Sequence, residues 1–363
     1  MKICIITNND VGLYKFRNEL IDELLAQKHE IHLILPMGNY IHLFTQKGCY
    51  FYQTNIERHG TNPIKDYNLY NRYKKILKTI MPDVVLTYTI KPNIYGGIAC
   101  ANLNIPYIAN ITGLGSAVEK KGPLQKLTIV LYKVAFRKIK CVFFQNKDNK
   151  QFFLNHNIAI NKQKILPGSG VNLTKFNKLS YPTENTINFS FISRIMKEKG
   201  IEEYLEAAIE IKKRYPNVIF HVCGFCEEEY EEKLTKMEKQ GIIVYHGMVK
   251  NIQEILKITH CVVHPSFYPE GISNVLLESA ASARPIITTN RPGCKEVIEE
   301  NINGLISKEK DSQDLIDTVE KFINLSWEKK KLMGELGRKK VEKEFDRTIV
   351  INAYLKELSL IKK

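Results

Sequence analysis

The sequence predicts an α/β protein of two domains, each a doubly wound parallel sheet with helices on both faces. Three observations carry this. At 363 residues the chain is too long for one ordinary core and suits two. Short runs that are apolar on both faces alternate with segments of helical period, the signature of buried parallel strands. The same alternation starts afresh after Pro182. With 44% apolar and 25% charged residues, the composition is that of a folded chain rather than a disordered one.

In order, KICIIT, EIHLILP, DVVLTYT, YIANIT and CVFFQN read as strands of the first domain, each bounded by turn residues. Helical patterns fill the gaps at about 12–28, 68–80, 94–103 and 123–139. The second series is INFSFIS, VIFHVCG, IIVYHG, CVVHPS and PIITTN. The polar stretch from Lys162 to Glu184 holds the boundary, so domains are expected over 1–165 and 166–345. From Leu315 onward the pattern is helix after helix. The last segment, 346–363, is amphipathic and must rest on something, and a return to the first domain is expected. Ligands of such sheets bind at the carboxyl ends of the strands, here in a cleft between the domains.

The net charge of +14 is unevenly spread. Residues 1–180 hold 25 Lys/Arg against 10 Asp/Glu, and residues 181–363 hold 28 against 29. The first half should therefore meet something anionic: nucleic acid, acidic lipid headgroups or a phosphorylated substrate. The eight cysteines are scattered through strand-like runs, as buried reduced thiols are. Cys223 and Cys226 form a lone Cys-x-x-Cys beside His221, either a zinc or redox site or a turn containing Gly224. The amino terminus has no signal-peptide pattern, and no apolar run reaches about 18 residues, so no membrane span is expected.

The stretch His264–Glu299 is the richest in chemistry. A strand enters a tight loop containing Glu270 and Gly271, and a helix follows that Ser273 or Asn274 can cap. Backbone N–H groups of residues 271–275, Gly271, Ile272, Ser273 and Asn274 among them, would then point from the positive end of a helix dipole at a phosphate. Glu278, one turn further in, could accept bonds from two neighbouring hydroxyls, as a ribose offers. In SRIMKEKG, Arg194 and Lys199 follow a strand directly, a placement that suits a diphosphate as well as a solvated loop. Gly12 follows the first strand without a Gly-x-Gly-x-x-Gly around it, so close approach of a ligand and an ordinary turn are both open.

Between Glu119 and Asp148 there is no acid, while Lys120, Lys121, Lys126, Lys133, Arg137, Lys138, Lys140 and Lys147 are all basic. Lys126, Lys133, Arg137 and Lys140 share one helical face, and Leu124, Leu127, Leu131 and Val134 another. The region 120–147 is expected to lie on an anionic membrane surface. The alternative is a core-packing helix with a solvated basic back.

The run PEGISNVLLESAASARPIITTNRPGCKEVI resembles the donor-binding segment of retaining GT-B glycosyltransferases of glycosyltransferase family 4. SRIMKEKGI, LPGSGVNLTKF and GRKKVEKEF resemble further stations of that family. In the first half KFRNELIDELL, RHGTNPIKD, TYTIKPNIYGG and ANITGLGSA resemble the bacterial subgroup acting on undecaprenyl-diphosphate-linked glycans of capsule, O-antigen or protein glycosylation. Two departures stand out. Thr112 occupies a place where many relatives carry histidine, and Ala283 replaces a frequent glycine.

The resemblance implies two Rossmann-like domains with a cleft between them and a terminal helix crossing back. It implies transfer of a hexose or N-acetylhexosamine from a UDP-sugar to a lipid-diphosphate-linked glycan, with retention, no cofactor and no metal. Arg194 and Lys199 would face the diphosphate, with Gly12 as an N–H donor. Glu270 would hold the sugar and Glu278 the ribose. Arg17, Arg58, His59, Lys91 and Thr112 are the acceptor candidates, and His264 is expected in the core. The enzyme would be cytoplasmic, peripheral on the inner face of the cell membrane. A nucleic-acid-binding protein fits the basic half but shows no nucleic-acid module, so no nucleic acid is expected as partner. A nicotinamide-dependent oxidoreductase lacks its glycine fingerprint.

Overall fold

The computed structural model describes residues 1–57, 62–115, 118 and 121–361. The chain forms two compact units, Met1–Ser169 together with the terminal helix from Thr348, and Gly170–Arg347.

The first unit holds a seven-stranded sheet in the order β3-β2-β1-β4-β5-β6-β7. Its strands are β1 (Lys2–Ile6), β2 (Glu30–Leu35), β3 (Tyr50–Gln53), β4 (Val84–Tyr88), β5 (Tyr107–Ile111), β6 (Cys141–Phe144) and β7 (Gln163–Ile165). Every pairing is parallel. The helices between them are α1 (Asp10–Ala26), α2 (Ile41–Gln46), α3 (Pro63–Ile80), α4 (Gly97–Leu103), α5 (Pro123–Ala135) and α6 (Lys147–Asn155). A π-helical turn, Pro92–Gly96, leads into α4, so the helix expected from 94 begins irregularly.

The second unit repeats the plan with six parallel strands in the order β10-β9-β8-β11-β12-β13. They are β8 (Ile187–Ile192), β9 (Val218–Cys223), β10 (Val244–Gly247), β11 (Cys261–His264), β12 (Ile286–Thr289) and β13 (Gly304–Ser307). Its helices are α7 (Ile201–Arg214), α8 (Glu231–Lys239), α9 (Ile252–Ile258), α10 (Asn274–Ala281), α11 (Ser312–Ile323) and α12 (Trp327–Glu344). In α7 the acids Glu202 and Glu203 occupy the first turn and Lys212, Lys213 and Arg214 the last, which complements the helix dipole at both ends.

The terminal helix α13 (Arg347–Ile361) packs on the first sheet, as its amphipathic pattern predicts. Val350, Tyr354 and Leu358, one turn apart, are buried. The Tyr354 ring lies 4.8 Å from that of Phe143, tilted at 58°, and its hydroxyl accepts a bond from Asn110 Nδ2 at 2.8 Å. Burying such side chains contributes about 1.5–3 kcal/mol each, so this helix is part of the first core.

Candidate active site

In the second sheet, β8 and β11 are neighbours whose connections leave in opposite directions, toward β9 and toward β12. A crevice opens at the carboxyl ends of such a pair. After β8 the chain runs through Arg194 into a 3₁₀ turn, Lys197–Lys199, and then Gly200 at φ +78°. A Cβ on Gly200 would lie 2.2 Å from the Pro265 carbonyl oxygen, so glycine is what lets this turn close on the one after β11. The closure is tied by the Phe267 N–H donating to Glu198 O at 2.9 Å.

Lys199 thereby reaches Glu270 and pairs with it, the two side chains being 7% and 16% exposed. The Tyr268 ring lies under both cations, 4.8 Å from Lys199 Nζ and 5.1 Å from the Arg194 guanidinium carbon. Glu227, from the turn after β9, pairs with Arg194. Burial pulls the Lys199 ammonium down to about 7; the Arg194 charge adds to the fall, while Cys294 opposes it. Burial also pushes His264 well below the ordinary histidine range, with the Lys199 charge adding to it, so this imidazole is neutral at neutral pH.

The loop before α10 departs from the expected capping. Ser273 stands at the N-cap but makes no side-chain cap bond; its hydroxyl lies 3.2 Å from His264 Nε2. Its N–H is also occupied, donating to Gly293 O at 2.8 Å. Gly293, at φ +96°, comes so near that a Cβ would sit 2.5 Å from the Gly271 oxygen. The N–H groups of Asn274, Val275 and Leu276, in the first helical turn, lack intrahelical acceptors. Asn274 Oδ1 is buried with no hydrogen-bond partner among the described residues. Glu278 follows one turn later, half-buried.

The structure thus gathers Arg194, Lys199, Glu270, Gly271, Ile272, Ser273 and Asn274 onto two adjoining turns and the start of α10, with Glu278 on that helix. Sequence reasoning missed Tyr268, Glu227 and the reach of His264, which is buried in the core as expected yet lies 3.9 Å from Glu270. The aromatic two residues before Glu270 was the available signal for Tyr268. Chemically, the site offers two cations whose present partners are carboxylates and a ring, and a diphosphate can share or replace those partners.

The first-unit candidates fare differently. The Gly12 N–H, expected to be a donor, is taken by the N-cap Asn9 Oδ1 at 2.6 Å, because Gly12 is the third residue of α1. Arg17 is 4% exposed, with its guanidinium 5.0 Å from the Tyr88 ring centre, so it faces the core rather than an open surface. Lys91 pairs with Asp66 at 2.6 Å, and Asp66 also accepts from Tyr95 Oη at 2.8 Å. This pair borders a cavity of about 570 Å³ lined also by Thr54, Asn55, Lys65 and Arg72. Thr112 is half-buried in the bend after β5. Arg58, His59 and Lys120 lie outside the described residues. The residues weighed as a zinc or redox site are engaged otherwise: His221 contacts His246 at 2.9 Å and Asn188 Oδ1 at 3.1 Å, and Cys226 Sγ lies 3.6 Å from Tyr245 Oη.

Residues 174–340 match the family described as "Glycosyl transferases group 1", and residues 2–146 match "Glycosyl transferase 4-like". The chain belongs to the GT-B glycosyltransferases. This glycosyltransferase is 27% identical, over 98% of both chains, to the N,N'-diacetylbacillosaminyl-diphospho-undecaprenol alpha-1,3-N-acetylgalactosaminyltransferase of Campylobacter jejuni. In fold it is similar to a glycosyltransferase from Rickettsia africae, with a TM-score of 0.83 at 20% identity over 100% of this chain and 98% of that one. It is also similar to Anabaena HepE in complex with UDP, with a TM-score of 0.81 at 16% identity over 99% and 100% of the two chains.

Proposed function

We propose that this glycosyltransferase moves a hexose or N-acetylhexosamine from a UDP-sugar to a polyprenyl-diphosphate-linked glycan, with retention and without a metal, in bacterial surface glycan assembly. The observation that carries the reading is the Arg194–Tyr268–Lys199–Glu270 cluster at the switch-point crevice. Arg194 and Lys199 neutralise the leaving diphosphate, and the first turn of α10 supplies N–H donors to it. Glu278 receives the ribose hydroxyls and Glu270 those of the transferred sugar. The departing phosphate oxygen takes the proton of the attacking acceptor hydroxyl, so bond breaking and bond making share one face of the sugar. The relatives' names support the donor and acceptor classes: one acts on a diphospho-undecaprenol glycan and another holds UDP.

For the acceptor, the cavity beside Lys91 offers cations and amides to a polar head, with Thr112 in the bend after the neighbouring strand. The amphiphilic character of that acceptor brings a membrane into the reading. Along α5, Leu124, Leu127, Val130 and Val134 are exposed by 42–55%, while Thr128, Tyr132 and Ala135 form the buried side. Helix α5 therefore turns an apolar ridge to solvent, flanked by Lys126 and Lys133. A ridge of this kind suits insertion among anionic headgroups, and the enzyme acts peripherally on the inner face of the cell membrane. No helix among the described residues is long and apolar enough to cross a membrane. The test is a panel of nucleotide sugars offered with a polyprenyl-diphosphate-linked acceptor in excess EDTA. Transfer from one UDP-sugar at full rate is expected; a strict requirement for a divalent cation would overturn the metal-free mechanism.

A further inference from the structure

Beyond the substrate sites, a second cavity of about 330 Å³ lies in the first unit, walled by Lys133, Phe136, Arg137, Asn157, Ile160 and Lys162. Three of these are cations, and among the described residues none of the three pairs with a carboxylate. Arg137 bonds only a neutral group, Asn102 Oδ1, at 3.1 Å. Cations in the last turn of a helix ordinarily answer its free carbonyls, and Lys133 at the end of α5 fits that role. Lys162 does not, because it arrives from the turn before β7. That turn holds Asn157, Ala159 and Asn161 at φ +54°, +50° and +66°, a left-handed run costly for Ala159, and it presents Ile160 at 48% exposure.

The cavity also lies at the amino ends of β6 and β7, since its residues precede both strands. Substrates of such sheets bind at the opposite, carboxyl ends. The thirteen residues of α5, about 20 Å of helix, run from that end to this cavity. Val130 and Val134, both exposed, continue the apolar ridge to the cavity's edge at Lys133.

We propose that this cavity binds the phosphate headgroup of an anionic membrane lipid, whose acyl chains run beside the α5 ridge. The inference rests on the membrane reading above and adds a defined site to it. Three basic residues lining one cavity without an acid suit a phosphate, and the adjoining apolar residues select a lipid over a free anion.

Vesicle flotation separates this site from a diffuse field. The vesicles are phosphatidylcholine alone or phosphatidylcholine with phosphatidylglycerol. The triple variant Lys133→Gln/Arg137→Gln/Lys162→Gln should lose roughly fivefold in affinity per charge for the anionic vesicles, about a hundredfold in all. A control triple on the second unit, Lys236→Gln/Lys239→Gln/Lys250→Gln, should lose less than about threefold. Both should keep wild-type hydrolysis of the UDP-sugar, which checks folding. Equal losses in the two triples, or none in the first, would overturn the headgroup site. So would inorganic phosphate at millimolar level protecting the cavity while vesicle binding is unchanged. Leu127→Ser/Val130→Ser tests the underlying reading separately: failure to weaken binding to either vesicle would remove the membrane itself.

Discussion

The two units share one architecture and differ in how they treat charge. In the second, cations and acids nearly balance, and those of the candidate site are already matched: Lys199 to Glu270 and Arg194 to Glu227. In the first, an excess of cations remains on the surface, and around α5 it lies beside exposed leucine and valine. On the proposed reading, the difference fits what each unit would bind. A small, highly charged donor needs a site whose charges are held in place before it arrives, since preorganised charge costs no rearrangement during reaction. A large amphiphilic acceptor needs a surface with spare positive charge and apolar contact.

The largest expected effect falls on the matched site. Lys199→Ala or Arg194→Ala should lower kcat by about 10² to 10³, the usual cost of removing one group that stabilises developing charge. Lys126→Ala in the first unit should leave kcat with a water-soluble acceptor unchanged. Steady-state kinetics on both variants would break the comparison if the two effects were alike.

Next comes donor affinity. Glu278→Ala removes charge-assisted bonds worth about 1.5–3 kcal/mol, so calorimetry should show UDP binding weaker by tenfold or more. Unchanged affinity would detach Glu278 from the ribose.

A smaller effect is the pH dependence of donor binding. With its ammonium pulled to about 7 by burial, Lys199 in the empty site loses its proton as pH rises through that value. A bound diphosphate favours the charged form and raises this pKa, so binding takes up a proton above pH about 7. Affinity for a UDP-sugar should then fall with rising pH by at most tenfold per unit, and level off below about 7. Calorimetry in buffers of different ionisation enthalpy reads the proton directly.

How far the sequence could be read follows the same divide between buried and exposed. Strands such as Ile3–Ile6 and Val84–Tyr88 are buried throughout, and their unbroken apolar runs reveal them. The edge strands β3 and β7 have no fully buried residue, and at four and three residues they are too short to show a pattern. Four-residue β13 opens on Gly304, where a Cβ would sit 2.5 Å from the Ile286 oxygen; close packing chose a residue that reads as a turn. At the candidate site, the proximity of Glu270, Arg194 and Lys199 was legible, because charges beside strand ends have few structural uses. Tyr268 and His264 were not, since an aromatic ring and a strand histidine look like core. The occupied N–H groups of Gly12 and Ser273 were also beyond reach, because an N–H's partner is set by folding, not by composition.

The smallest effect concerns a departure visible in sequence. Ala283 adopts φ +57°, a left-handed conformation that costs an L-residue roughly 1–2 kcal/mol. Glycine removes that strain but loses about 0.4–1 kcal/mol through its freer unfolded chain. Ala283→Gly should therefore raise the unfolding free energy by no more than about 1.6 kcal/mol, measured by denaturant melts, and leave vesicle binding untouched.

The central claim is tested most directly by a crystal structure of the enzyme with UDP bound. The diphosphate should lie against Arg194 and Lys199 at the first turn of α10, with the ribose hydroxyls on Glu278. UDP bound away from β8 and β11, with Lys199 still closed on Glu270 alone, would contradict it.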